Sequence, residues 1–139
     1  MSLLRAASCV AIGGRAMLIE GLSGSGKSSL AIALIDRGAV LIGDDGVRLE
    51  VQGARLHAFP PPNIEGMLEV RNLGLLRFPT AADLPVALVL RLDPESKRFI
   101  EDAESTEIAG IVLPLIRLWP DSPVLAHKAE LALERFGLS

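Results

Sequence analysis

The eight residues Gly21, Leu22, Ser23, Gly24, Ser25, Gly26, Lys27 and Ser28 satisfy G-x-x-x-x-G-K-[ST] at every fixed position. Each residue type has a physical reason to be there. Glycines at 21, 24 and 26 allow a backbone to close on phosphate oxygens with consecutive N–H groups turned inward as an anion nest. A helix starting at the end of the run adds unpaired N–H donors and the positive end of its dipole. Lys27 is a point charge for the β- and γ-phosphates, and the Ser28 hydroxyl is a ligand for Mg²⁺. The whole run from Gly21 to Ser28 is therefore expected to hold ATP or ADP with Mg²⁺. A chance match in a chain of ordinary glycine content is on the order of one in a few hundred.

A second group follows one strand later. Val40-Leu41-Ile42-Gly43 is apolar and runs into Asp44-Asp45-Gly46. A strand reached by a crossover helix returns to the sheet that fed the glycine-rich loop. Ligands bind beyond the carboxyl ends of such strands, so Asp44 and Asp45 should face the γ-phosphate. Neighbours on a strand point opposite ways, which argues against one ion held by both. Division of labour is expected: one acid holds Mg²⁺ or its water, and the other takes a proton from the attacking nucleophile.

The elements that position these groups read as follows. Ser8–Ile12 and Ala16–Glu20 are strands joined at Gly13-Gly14, and Ser28–Arg37 is a buried helix ended by Gly38. Val40–Ile42 is a strand, and Val47–Val51 with Arg55–Phe59 form a hairpin across Gln52-Gly53. Pro60 to Pro62 make a rigid loop. Met67–Arg71 and Leu75–Phe78 are strands about an Asn72–Gly74 turn, and Val86–Leu92 is a further strand. The acidic stretch Glu95–Ala109 fits helix and loop equally. Ile111–Trp119 is a strand that Pro114 confines to an edge or a bulge. Ser122 caps the last helix, with Pro123 first inside it and Gly137 just past its end. Strands with two helices and an early strand-helix-strand unit give an α/β domain on a mixed sheet, one domain over residues 1–139.

Composition excludes other classes. Half of the 139 residues are apolar and the mean hydropathy is +0.41, which excludes disorder. The apolar runs are far shorter than the ~20 residues of a membrane span, and the N-terminal residues do not read as a signal peptide. The single cysteine, Cys9, fits a reducing cytoplasm. A formal charge of −3 with no basic run, and only five aromatic residues with no tyrosine, speak against nucleic acid as partner. No G-x-S-x-G elbow, H-E-x-x-H or C-x-x-C pair occurs, so hydrolase, zinc and redox readings have no support.

The stretch G-L-S-G-S-G-K-S-S-L-A-I-A-L-I-D-R-G-A-V-L-I-G-D-D closely resembles the C-terminal catalytic domain of the HPr kinase/phosphorylase family. A second stretch, Leu68-Glu69-Val70-Arg71-Asn72-Leu73-Gly74-Leu75, resembles that family's signature, in which Glu-x-Arg is followed by Leu-Gly. The resemblance is to a short form without the family's N-terminal domain. It implies a P-loop-containing mixed β-sheet with few helices, of the HPr-kinase/PEP-carboxykinase-like kind. It also implies an ATP-dependent protein kinase that phosphorylates a serine of HPr, the phosphocarrier of the sugar phosphotransferase system, and that assembles as a homo-oligomer, with a hexamer suggested.

Carried over by motif, Asp45 looks like the acid that takes the serine proton and Asp44 like its Mg²⁺-side neighbour. Glu69 looks like a second Mg²⁺ ligand beside Ser28, and Arg71, on the same strand face as Glu69, like a phosphate contact. Asp45 and Glu69 should then converge near the γ-phosphate. Two departures stand out. Where the family has a catalytic histidine, 21 residues before the loop lysine, this chain has Ala6. The family's later Asp-Arg-Leu-Gly stretch and Arg/Gly-rich phosphorylase segment are not recognisable, with Arg98 and Arg117 the nearest candidates. Phosphorylation is accordingly expected to survive better than phosphorolysis. The alternatives are a nucleotide-sensing regulatory module with weak or no catalysis, and a P-loop kinase with a different acceptor.

Overall fold

In the computed structural model, residues 2–63 and 65–139 are described. β2 (Ser8–Ile12) and β3 (Arg15–Glu20) pair antiparallel, as the Gly13-Gly14 turn predicts. Helix α1 (Lys27–Asp36) then crosses the sheet to β4 (Val40–Gly43). The crossover returns to the same sheet, but not to the neighbouring position: β4 pairs with β2, so the order is β3-β2-β4. This ordering matters for the site. β2 runs antiparallel to both neighbours, so its first residue lies level with their last ones, Ser8 opposite Ile19 and Cys9 opposite Gly43.

β5 (Val47–Gln52) and β6 (Arg55–Phe59) form the expected hairpin, and β9 (Leu84–Leu92) is the spine of the sheet. One edge of β9 carries β3 in parallel. The other edge carries β6 at Leu84 and Pro85, then β11 (Ile111–Leu118) in parallel from Val89 to Leu92. β3 and β9 are buried on both faces, which is why they read as continuous apolar runs. On one face Met17, Ile19, Leu88 and Leu90 pack against Leu30 and Leu34 of α1 and Leu133 of α2 (Leu125–Phe136). On the other, Leu18 and Val89 pack with Ile42, Leu49, Leu56 and Leu113.

Two strands carry no sequence signal of their own. β1 (Ser2–Arg5) adds to the free edge of β5, and β10 (Glu104–Ile108) lies in the stretch expected to be helix or loop. Its sequence, Glu-Ser-Thr-Glu-Ile, has little apolar alternation, and it is a strand because β11 offers it an edge. Pro114 lies opposite Ser105 of β10, whereas β11 meets β9 only from Leu115 onward, so the missing N–H sits where β11 has one partner. The last helix begins later than expected. Ser122 accepts from Val124 N–H at 3.3 Å and from Leu125 N–H at 3.2 Å, which makes a turn of residues 122–124 and starts α2 at Leu125.

β7 (Met67–Val70) and β8 (Gly74–Arg77) form a separate two-stranded hairpin. Leu68 is fully buried among the residues that α1 covers, and every residue of β8 is exposed. The fold is thus mixed α/β, mostly sheet, with two helices among the described residues. None of the helices among the described residues is long and apolar enough to cross a membrane.

Candidate functional site

The glycine-rich loop leaves the carboxyl end of β3 at Gly21, where the chain has no room for a side chain. A Cβ there would stand 2.5 Å from Ser25 Oγ and 3.3 Å from Leu92 Cβ. At its far end Gly26, with φ of 104°, is the N-cap of α1, and no side chain closes that helix N-terminus. A left-handed backbone at this point suits glycine alone. Lys27 Nζ spans the loop to donate to Gly21 O at 2.9 Å, which holds the ammonium inside the turn. Ser25 Oγ is buried and has no hydrogen-bond partner among the described residues. Such a hydroxyl costs about 1–3 kcal/mol unless an acceptor or donor fills its bonding capacity, and a phosphate oxygen is an acceptor of the right kind.

The aspartate pair emerges at the same edge of the sheet. Asp44 Oδ1 accepts from Ser28 Oγ at 2.6 Å and from Ser8 Oγ at 3.0 Å. Asp45 differs from it: it is exposed, its φ is +56°, and its backbone N–H donates to Ser8 Oγ at 3.2 Å. Strand alternation does not cause this division, contrary to the expectation, because β4 ends at Gly43 and both acids lie in the bend beyond it. The bend is tight. A Cβ at Gly43 would meet Gly46 O at 2.1 Å.

Glu69 is exposed on β7, and Arg71 is exposed in the turn that follows. Arg71 is therefore not on a strand face shared with Glu69; β7 stops at Val70 because Asn72 adopts φ of +75° to reverse the chain. Among the described residues, neither makes a side-chain hydrogen bond or an ion pair, and no three His, Cys, Asp or Glu side chains converge as a metal cluster. The structure joins Ser28 to Asp44 by a hydrogen bond, and Glu69 makes no side-chain bond to that pair. Arg117, one of the two distant candidates, pairs with Asp93 and Glu104. Cys9 is wholly buried, and burial pushes its thiol far above the ordinary range, so it is a small core residue and no nucleophile.

Two features escaped the sequence. One is Ser8, fully buried, which touches both aspartates. The other is Glu20, the last residue before the loop. Arg5 donates to its Oε2 at 2.6 and 2.7 Å, and Arg91 to its Oε1 at 2.8 and 3.3 Å. Burial would raise the Glu20 carboxyl, but the hydrogen bonds and charges of the two guanidinium groups outweigh it and hold the group below the usual glutamate range. A cleft of about 580 Å³ opens here, lined by this trio together with Ala6, Gly21 and Leu22. Neither feature is visible without strand register: Glu20 lies opposite Arg91, and Ser8 opposite Ile19.

The donor set suits a hard cation and a polyphosphate. A hydroxyl and a carboxylate joined at 2.6 Å are oxygen ligands of the kind Mg²⁺ takes one or two at a time, keeping water elsewhere. An uncapped helix start, an orphaned hydroxyl and a lysine inside the turn suit the phosphates.

Residues 3–81 match the family model described as the HPr Serine kinase C-terminal domain. The chain is 34% identical over 117 residues to an HPr kinase/phosphorylase of Cupriavidus necator, covering 76% of this chain and 36% of that protein. It is 33% identical over 135 residues to that of Chlorobium chlorochromatii, covering 87% of this chain and 39% of the relative. The chain thus spans little more than a third of the length of these curated relatives. A solved structure of the Hpr(Ser) kinase/phosphatase from Coxiella burnetii superposes with a TM-score of 0.83 at 24% identity, covering 95% of this chain and 94% of that one, a likeness of fold.

Proposed function

The chain belongs to the HPr serine kinase C-terminal domain family, and from that premise we propose that it is a Mg-ATP-dependent protein serine kinase whose acceptor is an HPr-like phosphocarrier. The observation that carries the proposal is the meeting of Lys27, Ser28 and Asp44 at one sheet edge, with Asp45 exposed beside them. In this reading the backbone from Gly21 to Ser28 holds the polyphosphate, and Lys27 neutralises charge on its β- and γ-phosphates. Ser28 and Asp44 hold Mg²⁺, directly and through water. The metal, when bound, supplies charge neutralisation at the transferring group. Asp45 accepts the proton of the acceptor serine as its oxygen attacks the γ-phosphorus and ADP leaves. Exposure suits that role, since the acid must meet a hydroxyl brought by another protein. Glu69 and Arg71, on the hairpin that Leu68 anchors beside α1, complete the site from the other side as a Mg²⁺ ligand and a phosphate contact. The enzyme acts in the cytoplasm as a homo-oligomer, with a hexamer the suggested form.

The test is incubation of the protein with Mg-ATP and an HPr-type phosphocarrier, read as the acceptor's mass. A gain of one phosphoryl group on serine is expected; no gain with bound nucleotide would point to the second reading, a nucleotide-sensing module. Ala6 favours that second reading, because the cleft beside the loop presents a methyl group where the family has a histidine. Transfer to other proteins but not to HPr would leave a P-loop kinase with a different acceptor.

A further inference from the structure

Ser8 is a hydroxyl in the wrong place for a core residue. It is fully buried in a strand flanked by apolar neighbours, Ala7, Cys9 and Val10, all of them also buried. Its donor and one of its two lone pairs are used, and both bonds go to the aspartate pair. Its O–H donates to Asp44 Oδ1 at 3.0 Å, and its lone pair accepts the Asp45 N–H at 3.2 Å. The direction of each bond is fixed by chemistry, because a carboxylate can only accept and an N–H can only donate.

Two consequences follow. Asp44 Oδ1 is engaged by Ser8 and Ser28 together, so the carboxylate is pinned in one rotamer and Oδ2 is the oxygen left to face a cation or its water. Asp45, held at φ of +56°, pays a strain of about 1–2 kcal/mol for that left-handed backbone, and the Ser8 bond to its N–H opposes relaxation. A single hydroxyl therefore couples the orientations of the metal-side and proton-side acids.

We propose that Ser8 is a positioning residue of the phosphoryl-transfer site, setting Asp44 toward Mg²⁺ and Asp45 toward the acceptor from the strand between β3 and β4. This rests on the nucleotide-binding part of the function proposed above. It requires the order β3-β2-β4, in which the start of β2 reaches the loop and the aspartates at once.

The test measures the gain in ADP affinity that Mg²⁺ gives, by calorimetry with Mg²⁺ and with EDTA, in the full chain. Ser8→Ala and the shape-preserving Ser8→Cys should bind ADP in EDTA as the parent does, yet lose tenfold or more of the Mg²⁺-dependent gain, the usual cost of removing an outer support of a metal ligand. In an Asp44→Asn background, Ser8→Ala should cost nothing further, since the carboxylate it orients is gone. A mere packing role would lower affinity equally with and without Mg²⁺ and would add to Asp44→Asn. An unchanged Mg²⁺ gain in Ser8→Ala overturns the proposal, as does an additive double variant or loss of the folded state in both single variants. No acceptor protein is needed, so a parent that binds Mg-ADP but fails to phosphorylate HPr overturns the kinase reading while this one is still decided.

Discussion

Lys27 is tied to the loop by one hydrogen bond to Gly21 O and is half-buried, so its removal takes away charge at the loop mouth without opening the core. Lys27→Ala should abolish nucleotide binding by calorimetry and leave the thermal midpoint within a few degrees of the parent; equal affinity would remove the loop from the site. Asp45 differs from Lys27 in what it should control. Asp45 is exposed, whereas Ser28, Asp44 and Ser8 are joined by hydrogen bonds. Asp45→Asn keeps the shape and removes the proposed base, so transfer to the acceptor should fall by ~10²-fold or more. ADP binding with Mg²⁺ should persist. A variant that loses both together would assign Asp45 to binding.

The strand ends and their turns hold these residues, and the bend after β4 leaves no room for a side chain at Gly43. Gly43 has Gly46 O where a Cβ would stand, at 2.1 Å, and Pro61 Cδ at 3.2 Å, whereas a Cβ at Gly46 meets nothing within 4 Å. Gly43→Ala should therefore destabilise the protein by roughly 1–3 kcal/mol through forced backbone movement, and Gly46→Ala by much less. Chemical denaturation of the two variants compares them directly. The same movement displaces Asp44 and Asp45, so Gly43→Ala should also weaken Mg-nucleotide binding, and a variant as stable as the parent would show that the bend relaxes freely. β7 and β8 are a different kind of element: a hairpin fastened by one buried leucine, Leu68, with Glu69 and Arg71 on its exposed part.

Across the whole molecule, Glu20 ties β1, β3 and β9 together through Arg5 and Arg91. Its carboxyl is held below the ordinary range when folded, so the folded state binds fewer protons there than the unfolded chain. The stability it contributes is complete above the unfolded value, roughly pH 4 to 5, and is lost as the pH falls through the lower folded value. The destabilisation caused by Glu20→Gln, measured by denaturant titration, should accordingly be largest near pH 7 and shrink below pH 4. A penalty constant down to acid pH would mean that the ion pairs contribute no linkage. The cleft that this trio lines also bears on the direction of the reaction. Phosphorolysis must bring inorganic phosphate beside a phosphoserine, two anions at one site, and needs more donors than transfer from ATP does. Arg5 and Arg91 are engaged by Glu20, and the Ala6 side chain has no donor to offer. The protein should phosphorylate an HPr-like acceptor with little phosphate-dependent reversal, and Ala6→His should raise turnover. Efficient pyrophosphate formation from phosphoserine-HPr by the parent would refute this.

Local structure was legible in the residues themselves, and so was a candidate chemistry. Gly21 to Ser28 needs only spacing to be recognised, because a backbone nest, a lysine and a hydroxyl in series have one common use. The strands Ser8–Ile12 and Val40–Gly43 and helix α1 could also be read within a residue or so, since apolar runs, a Gly-Gly turn and a glycine stop act over short distances. What depended on long-range pairing could not be read. β1 and β10 exist because β5 and β11 present free edges, and no residue in Glu104–Ile108 announces a strand. The alternation rule does not govern the two aspartates, because β4 stops at Gly43 and both lie in the bend beyond it. Ser8 and the Arg5–Glu20–Arg91 trio were out of reach for the same cause: their partners are 15 to 71 residues away, joined only by strand order and register. The sequence determined which groups could do the chemistry. The tertiary structure decided which of them stand together, because hydrogen bonds and ion pairs act over about 3 Å and a chain brings distant residues that close only by folding.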